Sequence, residues 1–236
     1  MRKLIVTLTV AGLVGVIGAV PAGAGGSGDV KKFCKANLAI DANEDTPSDR
    51  QLERLRDTAP PEIAETVDSA VTQFQDEGDA AFEDAEFTAA IAEIDQFVLD
   101  NCGYEQVDVT MQDYAFSGIP DEIEKGTVGF KVTNEGTELH ELSAYRLKGD
   151  ATLDDILALP EDHSRKDLAK LVTPVPGGAF AFPGATDVGF VTVKKTGKYV
   201  VLCSIPVGST PDAAEEGGSG PPHFMEGMAA EFEVTS

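Results

Sequence analysis

The sequence predicts an α+β chain of two domains, a small N-terminal α-helical bundle followed by a β-sandwich with a helical insertion. Two patterns predict it. Apolar residues recur at helical spacing as far as Asn101, and after Gly103 they alternate along short runs separated by turn residues. Length agrees, since 236 residues accommodate one large domain or two small ones.

The chain opens with Met1-Arg2-Lys3, an apolar run from Leu4 to Val20, and Pro21-Ala22-Gly23-Ala24. A basic head, an apolar middle and a small-residue exit form a secretory signal, expected over residues 1–24 with cleavage after Ala24. The run also approaches spanning length, so an uncleaved anchor is the alternative. Its glycines and the Ala-Gly-Ala exit favour cleavage. No other stretch of the sequence could span a bilayer, and the processed protein is expected to be secreted or extracytoplasmic.

Residues 25–103 read as the bundle. One helix is expected around Val30–Leu38 and another around Asp49–Asp57. Ile63, Val67, Val71 and Phe74 share a face of a segment opened by Pro60-Pro61, and Phe87, Ile91, Ile94 and Val98 share one in the next. A bundle of about 75 residues is marginal on core burial alone. Export places the three cysteines in an oxidising compartment, where an odd number leaves one thiol over. The natural pair is Cys34 with Cys102, which ties the first helix to the end of the last and leaves Cys203 free.

Residues 105–236 read as the sandwich. Val107, Val109 and Met111 alternate, as do Val128, Phe130 and Val132; Val188–Val193, Lys198–Ile205 and Ala229–Thr235 read as further strands. Turns fall at Gly118-Ile119-Pro120, Asn134-Glu135-Gly136 and Thr196-Gly197. Many short strands so punctuated suggest a sandwich. An insertion from about Gly149 to Pro183 holds two short helices with capping-box starts, Thr152-x-x-Asp155 and Ser164-x-x-Asp167. Gly208–Gly220, rich in Gly, Ser, Pro and acid, is a loop.

The formal charge is −23, and loss of Arg2 and Lys3 with the signal makes it −25. Residues 25–105 carry 20 acids against 6 bases and residues 106–236 carry 21 against 10, so the acidity covers both domains. Nothing here neutralises phosphates, which excludes nucleic acid as a partner. The charge serves solubility, and it would also steer a basic partner toward the protein.

Chemistry concentrates near the C terminus. Cys203, then Pro222-His223-Phe224-Met225-Glu226-Gly227-Met228, with His140 upstream, supply one thiolate, two imidazoles and a thioether. That is the donor set of a mononuclear blue-copper site. The chain has three cysteines, three histidines and four methionines, and this constellation uses four of them. Cys203 shares a strand face with Tyr199 and Val201 near the strand's end, His140 stands between a turn and a strand, and His223 and Met228 precede the last strand. Such strand ends can converge at one pole of a sandwich. Singly, each residue has an ordinary explanation: a surface histidine, a loop histidine, a packed methionine, a buried free thiol. Jointly they read as a metal site, with Met225 the competing methionine and His163 a solvated residue of the insertion.

The ordered pieces Asp113-Tyr114-Ala115-Phe116, Asn134-x-Gly136-x-x-x-His140-Glu141, Gly197-Lys198-Tyr199-Val200-Val201-Leu202-Cys203 and His223-x-x-x-Gly227-Met228 resemble the cupredoxins, the plastocyanin and azurin superfamily. The resemblance covers residues 105–236. It implies an eight-stranded Greek-key sandwich, one type 1 copper held by His140, Cys203, His223 and Met228, and single-electron transfer rather than enzymatic catalysis. It also implies a redox partner docking near His223, Pro222 and Phe224, with His140 the more buried imidazole. One departure stands out: nineteen residues separate Cys203 from His223, where simple members have only a few.

The histidine count speaks against copper oxidases and nitrite reductases, which need further histidine clusters. Zinc hydrolysis is disfavoured because four protein ligands leave no open position for water. A Cys203 nucleophile paired with His140 or His223 would leave Met228 unexplained. Two other readings remain: a protein that stores, delivers or senses copper, and a cupredoxin-like interaction domain without redox activity.

Overall fold

The computed structural model describes residues 29–42, 46–211 and 218–236. The expected signal over residues 1–24 lies outside them, as does the middle of the expected loop at 208–220. Four helices come first: α1 (Val30–Asp41), α2 (Asp49–Thr58), α3 (Ala64–Glu77) and α4 (Ala85–Asn101), with a short 3-10 helix, Gly78–Glu83, before the last. Side chains fix their starts. Asp29 accepts from the amides of Lys31 and Lys32, and Asp84 from those of Glu86 and Phe87. The apolar faces read from the sequence are the buried ones, with Ile63, Val67, Val71, Phe87, Ile94 and Val98 all interior. Cys34 and Cys102 form a disulfide with Cα atoms 5.8 Å apart, closing a span of 68 residues. A cross-link of that span removes about 4 kcal/mol of unfolded-chain freedom.

Among the described residues nine strands follow, one more than the eight implied by the resemblance: β1 (Glu105–Gln112), β2 (Ala115–Ser117), β3 (Glu122–Glu124), β4 (Gly126–Asn134), β5 (His140–Leu147), β6 (Val172–Ala181), β7 (Thr186–Val193), β8 (Gly197–Leu202) and β9 (Ala229–Thr235). They form two sheets, ordered β2-β1-β4-β7 and β3-β9-β8-β5-β6, with β1 parallel to β4 and β3 parallel to β9. The insertion is smaller than expected. Its helices α5 (Leu153–Leu157) and α6 (Arg165–Leu171) carry the anticipated capping boxes, but its second half is the strand β6, paired along β5. Gly177-Gly178 and Pro174-x-Pro176 in that stretch masked its strand character in the sequence.

The core lies between the sheets. Val107, Val109 and Met111 of β1 meet Val128, Phe130 and Val132 of β4, together with Tyr199, Val201 and Cys203 from β8 and its end. The other face of β8, Val200 and Leu202, is buried too, with Leu147, Ile156, Val172 and Phe224. The insertion helices therefore give the central strand a second covered face, and its sequence reads as an unbroken apolar run rather than an alternating one.

The helical half is joined to the sandwich by a shared core. Val188 and Phe190 of β7 pack in the same cluster as Phe33, Phe87, Val98 and Leu99. Lys131 of β4 donates to Gln96 of α4 at 3.0 Å. The helices thus cover the outer face of the four-stranded sheet. Phe190→Ala is expected to cost about 3–5 kcal/mol and to lower both helical and sheet signals in one thermal transition followed by circular dichroism. Separate transitions would show two independent units.

Asp41, Asp95 and Asp187 meet at this helix–sheet junction. Burial, then repulsion from Asp187, raises the Asp41 carboxyl from 3.8 to about 7, and the Asp95 carboxyl is raised by burial and by both neighbours. The folded state therefore holds a proton that the unfolded state releases, so stability should fall as pH rises from about 4 to about 7. Denaturant unfolding across that range should show the fall, and Asp41→Asn should make it shallower.

Candidate metal centre

Three neighbouring strands of the five-stranded sheet build the site. His140 begins β5, Cys203 directly follows β8, and His223 opens a short 3-10 helix, His223–Glu226, that leads through Met228 into β9. Backbone bonds fasten this last segment onto the Cys203 strand end. Phe224 N–H donates to the Cys203 carbonyl at 2.9 Å, His223 N–H to Ile205 at 2.9 Å, and Cys203 N–H to Met228 at 3.2 Å.

Donor atoms of His140, Cys203 and His223 lie within 4.8 Å of one another, and all three residues are fully buried. His140 Nδ1 is 3.1 Å from His223 Nδ1, which is 3.3 Å from Cys203 Sγ. The sequence thus predicted a cluster that the fold brings together. Met228 lies in the same inter-sheet core as Cys203, whereas Met225 packs in the cluster beneath the insertion helices. His163, expected to be solvated, is partly buried instead, with its ring edge-on to Phe224 at 5.6 Å.

Each imidazole is anchored by a carboxylate on its far nitrogen. His140 Nε2 lies 2.8 Å from Asp113 Oδ1, and His223 Nε2 lies 3.0 Å from Glu138 Oε2. With Nε2–H donating outward, both Nδ1 lone pairs face the shared centre, a tautomer assigned from these bonds. Against the cost of burial, the Thr137 hydroxyl and amide and the His140 ring bring the Asp113 carboxyl down to about 2. Glu138 is likewise lowered against burial, by the Tyr114 hydroxyl at 2.9 Å, the Gly208 amide at 2.6 Å and the His223 ring. Both acids therefore stand ionised beside the imidazoles at neutral pH. Gly136 makes room for one of these pairs: a Cβ there would fall on the Asp113 carboxylate and the His140 ring.

The thiol is prepared in the same way. Glu141 N–H points at Cys203 Sγ at 3.4 Å, and the Glu141 carboxylate accepts from Ser204 N–H at 3.0 Å. Burial pushes the Cys203 thiol up to about 12, so without a metal it stays protonated, and a bound cation would displace that proton. Burial lowers His140, which keeps that ring neutral and able to coordinate.

One expectation is corrected. Partner docking near His223 requires that ring at the surface with His140 the more buried imidazole, and instead both rings are fully buried, His223 with Glu138 on its outer nitrogen and the Tyr114 ring 4.9 Å away. Phe224 is buried as well. The cause is the long segment after Cys203, whose Gly208 and Ser209 amides bind Glu138 and fold over the site. Sequence reasoning missed Asp113, Tyr114, Glu138 and Glu141 as supporting residues. Asp113, Tyr114 and Glu141 stand in the quoted motifs without a role assigned to them and Glu138 falls on an unnamed position between Gly136 and His140, because in a chain this acidic no single carboxylate stands out.

The two-sheet sandwich and its buried His-Cys-His cluster agree with the fold and with three of the four ligands that the cupredoxin resemblance implies. No protein-family model matches the chain, and no curated protein matches it. Among solved structures, the dithionite-reduced auracyanin of the photosynthetic bacterium Roseiflexus castenholzii is similar at 18% identity, over 57% of this chain and 100% of that one, with a TM-score of 0.33. Auracyanin A, a blue copper protein from Chloroflexus aurantiacus, is similar at 16% identity over 56% of this chain and 100% of that one, with a TM-score of 0.35. A laccase from Pediococcus acidilactici is similar at 14% over 57% of this chain and 27% of that one, with a TM-score of 0.31. At such overlaps the description of the domain rests on its own topology and cluster.

Glu138→Gln replaces an acceptor of four donors with a neutral amide. It is expected to weaken metal binding by about 10–100-fold, read by competition with a chelator of known affinity. Unchanged affinity would reduce Glu138 to a loop anchor.

Proposed function

We propose that this protein is an exported blue copper protein that carries single electrons. Cys203 Sγ, the Nδ1 atoms of His140 and His223 and the Met228 thioether would hold the copper, the thioether as the weakest donor. The observation that carries this reading is the convergence of one thiol and two outward-anchored imidazoles, all fully buried, on three adjacent strand ends. Copper would supply a one-electron couple there. The protein's part is to hold the donors still, because a carrier that changes geometry little on oxidation exchanges electrons fast.

The long Cys203–His223 segment favours a carrier over a copper courier. Its two limbs pair with each other, Val207 N–H to Pro221 at 2.9 Å and Gly220 N–H to Val207 at 3.0 Å, with a bridge between Pro206 and Pro222. Glu138 pins the turn beyond them. A site closed this way releases its ion slowly. Three histidines in the whole chain leave only His163 for any second copper, which favours a carrier over an oxidase. The Cys34–Cys102 disulfide fits export into an oxidising compartment.

Loading the protein with Cu(II) and recording visible and paramagnetic-resonance spectra tests this. An intense blue charge-transfer band with narrow parallel hyperfine splitting is the expected result. Cys203→Ala should abolish the band and Cys34→Ala should leave it; the reverse would sink the ligand assignment. A colourless protein that takes only Cu(I) would make it a courier, and one that takes no copper would make it an interaction domain.

A further inference from the structure

A cleft of about 1000 Å³ opens between the helices and the sandwich, lined by α4, the 3-10 helix before it, β5, β6 and β7. Its lining holds six carboxylates and, among the described residues, no lysine, arginine or histidine. Asp41, Asp95 and Asp187 lie at the helix–sheet junction, and Glu141 stands next to His140. Its rim carries Phe82, Phe180 and Phe182, which are 55%, 42% and 52% exposed. These are three of the four exposed large apolar side chains among the described residues, the fourth being Leu157. Phe180 and Phe182 form an edge-to-face pair with centroids 5.3 Å apart. Carboxylates inside and aromatic faces at the mouth suit a cation carried on an apolar stem, as Lys and Arg are.

The cleft also adjoins the metal centre. Phe180 is the β6 partner of Glu141, whose N–H meets Cys203 Sγ, and Ala181 is the partner of His140. One strand pairing and one hydrogen bond therefore separate an exposed aromatic ring from the thiolate, while the outer edge of His223 is sealed.

We propose that this cleft, with Phe82, Phe180 and Phe182 at its mouth, is the docking site for a basic loop of a one-electron carrier protein. The link to electron exchange rests on the copper reading above: one electron leaves or enters the copper as the partner loses or gains one. The binding itself does not depend on that reading. Charge complementarity selects the occupant, since every ionisable side chain lining the cleft is an acid and the chain carries a formal charge of −23. Burial raises all three junction carboxyls, and acidic neighbours raise Asp41 and Asp95 further, so the proton held among them is displaced when a cation enters.

The probe is a basic mitochondrial-type cytochrome c, titrated calorimetrically against the metal-free, disulfide-intact protein at low ionic strength. Phe180→Ser/Phe182→Ser should raise Kd about tenfold or more, and Asp95→Asn/Asp187→Asn should raise it and flatten its salt dependence. Leu157→Ser, on the other exposed apolar residue, should change nothing. In the copper-loaded protein the same cleft variants should slow second-order electron exchange by a similar factor with the visible spectrum unaltered. The single Phe180→Ser and Phe182→Ser variants carry the test if the double variant fails to fold. Binding that ignores the cleft variants but weakens with Glu226→Gln would place docking at the metal pole and overturn the proposal. So would a cleft that takes spermidine while the cytochrome does not bind. If no blue band forms but cytochrome binding still follows the cleft variants, docking stands and the electron-carrier reading falls.

Discussion

Glu138 accepts hydrogen bonds from the His223 ring, the Tyr114 hydroxyl and the amides of Gly208 and Ser209, and it is almost fully buried while doing so. A buried carboxylate is tolerable only when its oxygens are satisfied, so each of those four groups is constrained by the others. The ring fixes one ligand nitrogen and the amides fix the segment that closes over it. Tyr114 ties both to the turn after β1. Asp113 does the same for His140 through Thr137. Two ionised acids on the outer nitrogens of the two imidazoles also make an electrostatic surround that favours a cation at the centre. The geometry of the site and its electrostatic field thus come from the same contacts.

Much of this was legible in the sequence, for identifiable reasons. His140, Cys203, His223 and Met228 belong to residue types rare in this chain, so their spacing carried information. The faces of α3 and α4 and the alternation in β1 and β4 follow from burial on one side, which the sequence writes directly. β6 escaped notice because its glycines and prolines are usual in loops. Here its glycines serve close approach: a Cβ at Gly177 would collide with the Phe190 carbonyl of β7. Glu138 and Asp113 escaped because 41 acids hide any two of them. The burial of His223 could not be read at all, since it depends on where a loop folds and loop composition does not encode direction.

The helical half has a plainer physical role than an appended module. It covers Val188 and Phe190, which would otherwise leave an apolar sheet face in water. Covering that face creates the acidic cleft beside it, because the helix that packs on β7 brings Asp95 against Asp187. Aligning those carboxyls lowers stability at neutral pH, a cost a sequence keeps more readily where the charges have a use.

The pairing of Val207 with Pro221 and Gly220 closes the long segment well before its middle. Both limbs of the segment are thereby knotted together beside the cluster, as two ends of a cord are held at a knot. Nineteen residues between Cys203 and His223 therefore hold those two side chains as closely as a short link would, 3.3 Å from Sγ to Nδ1.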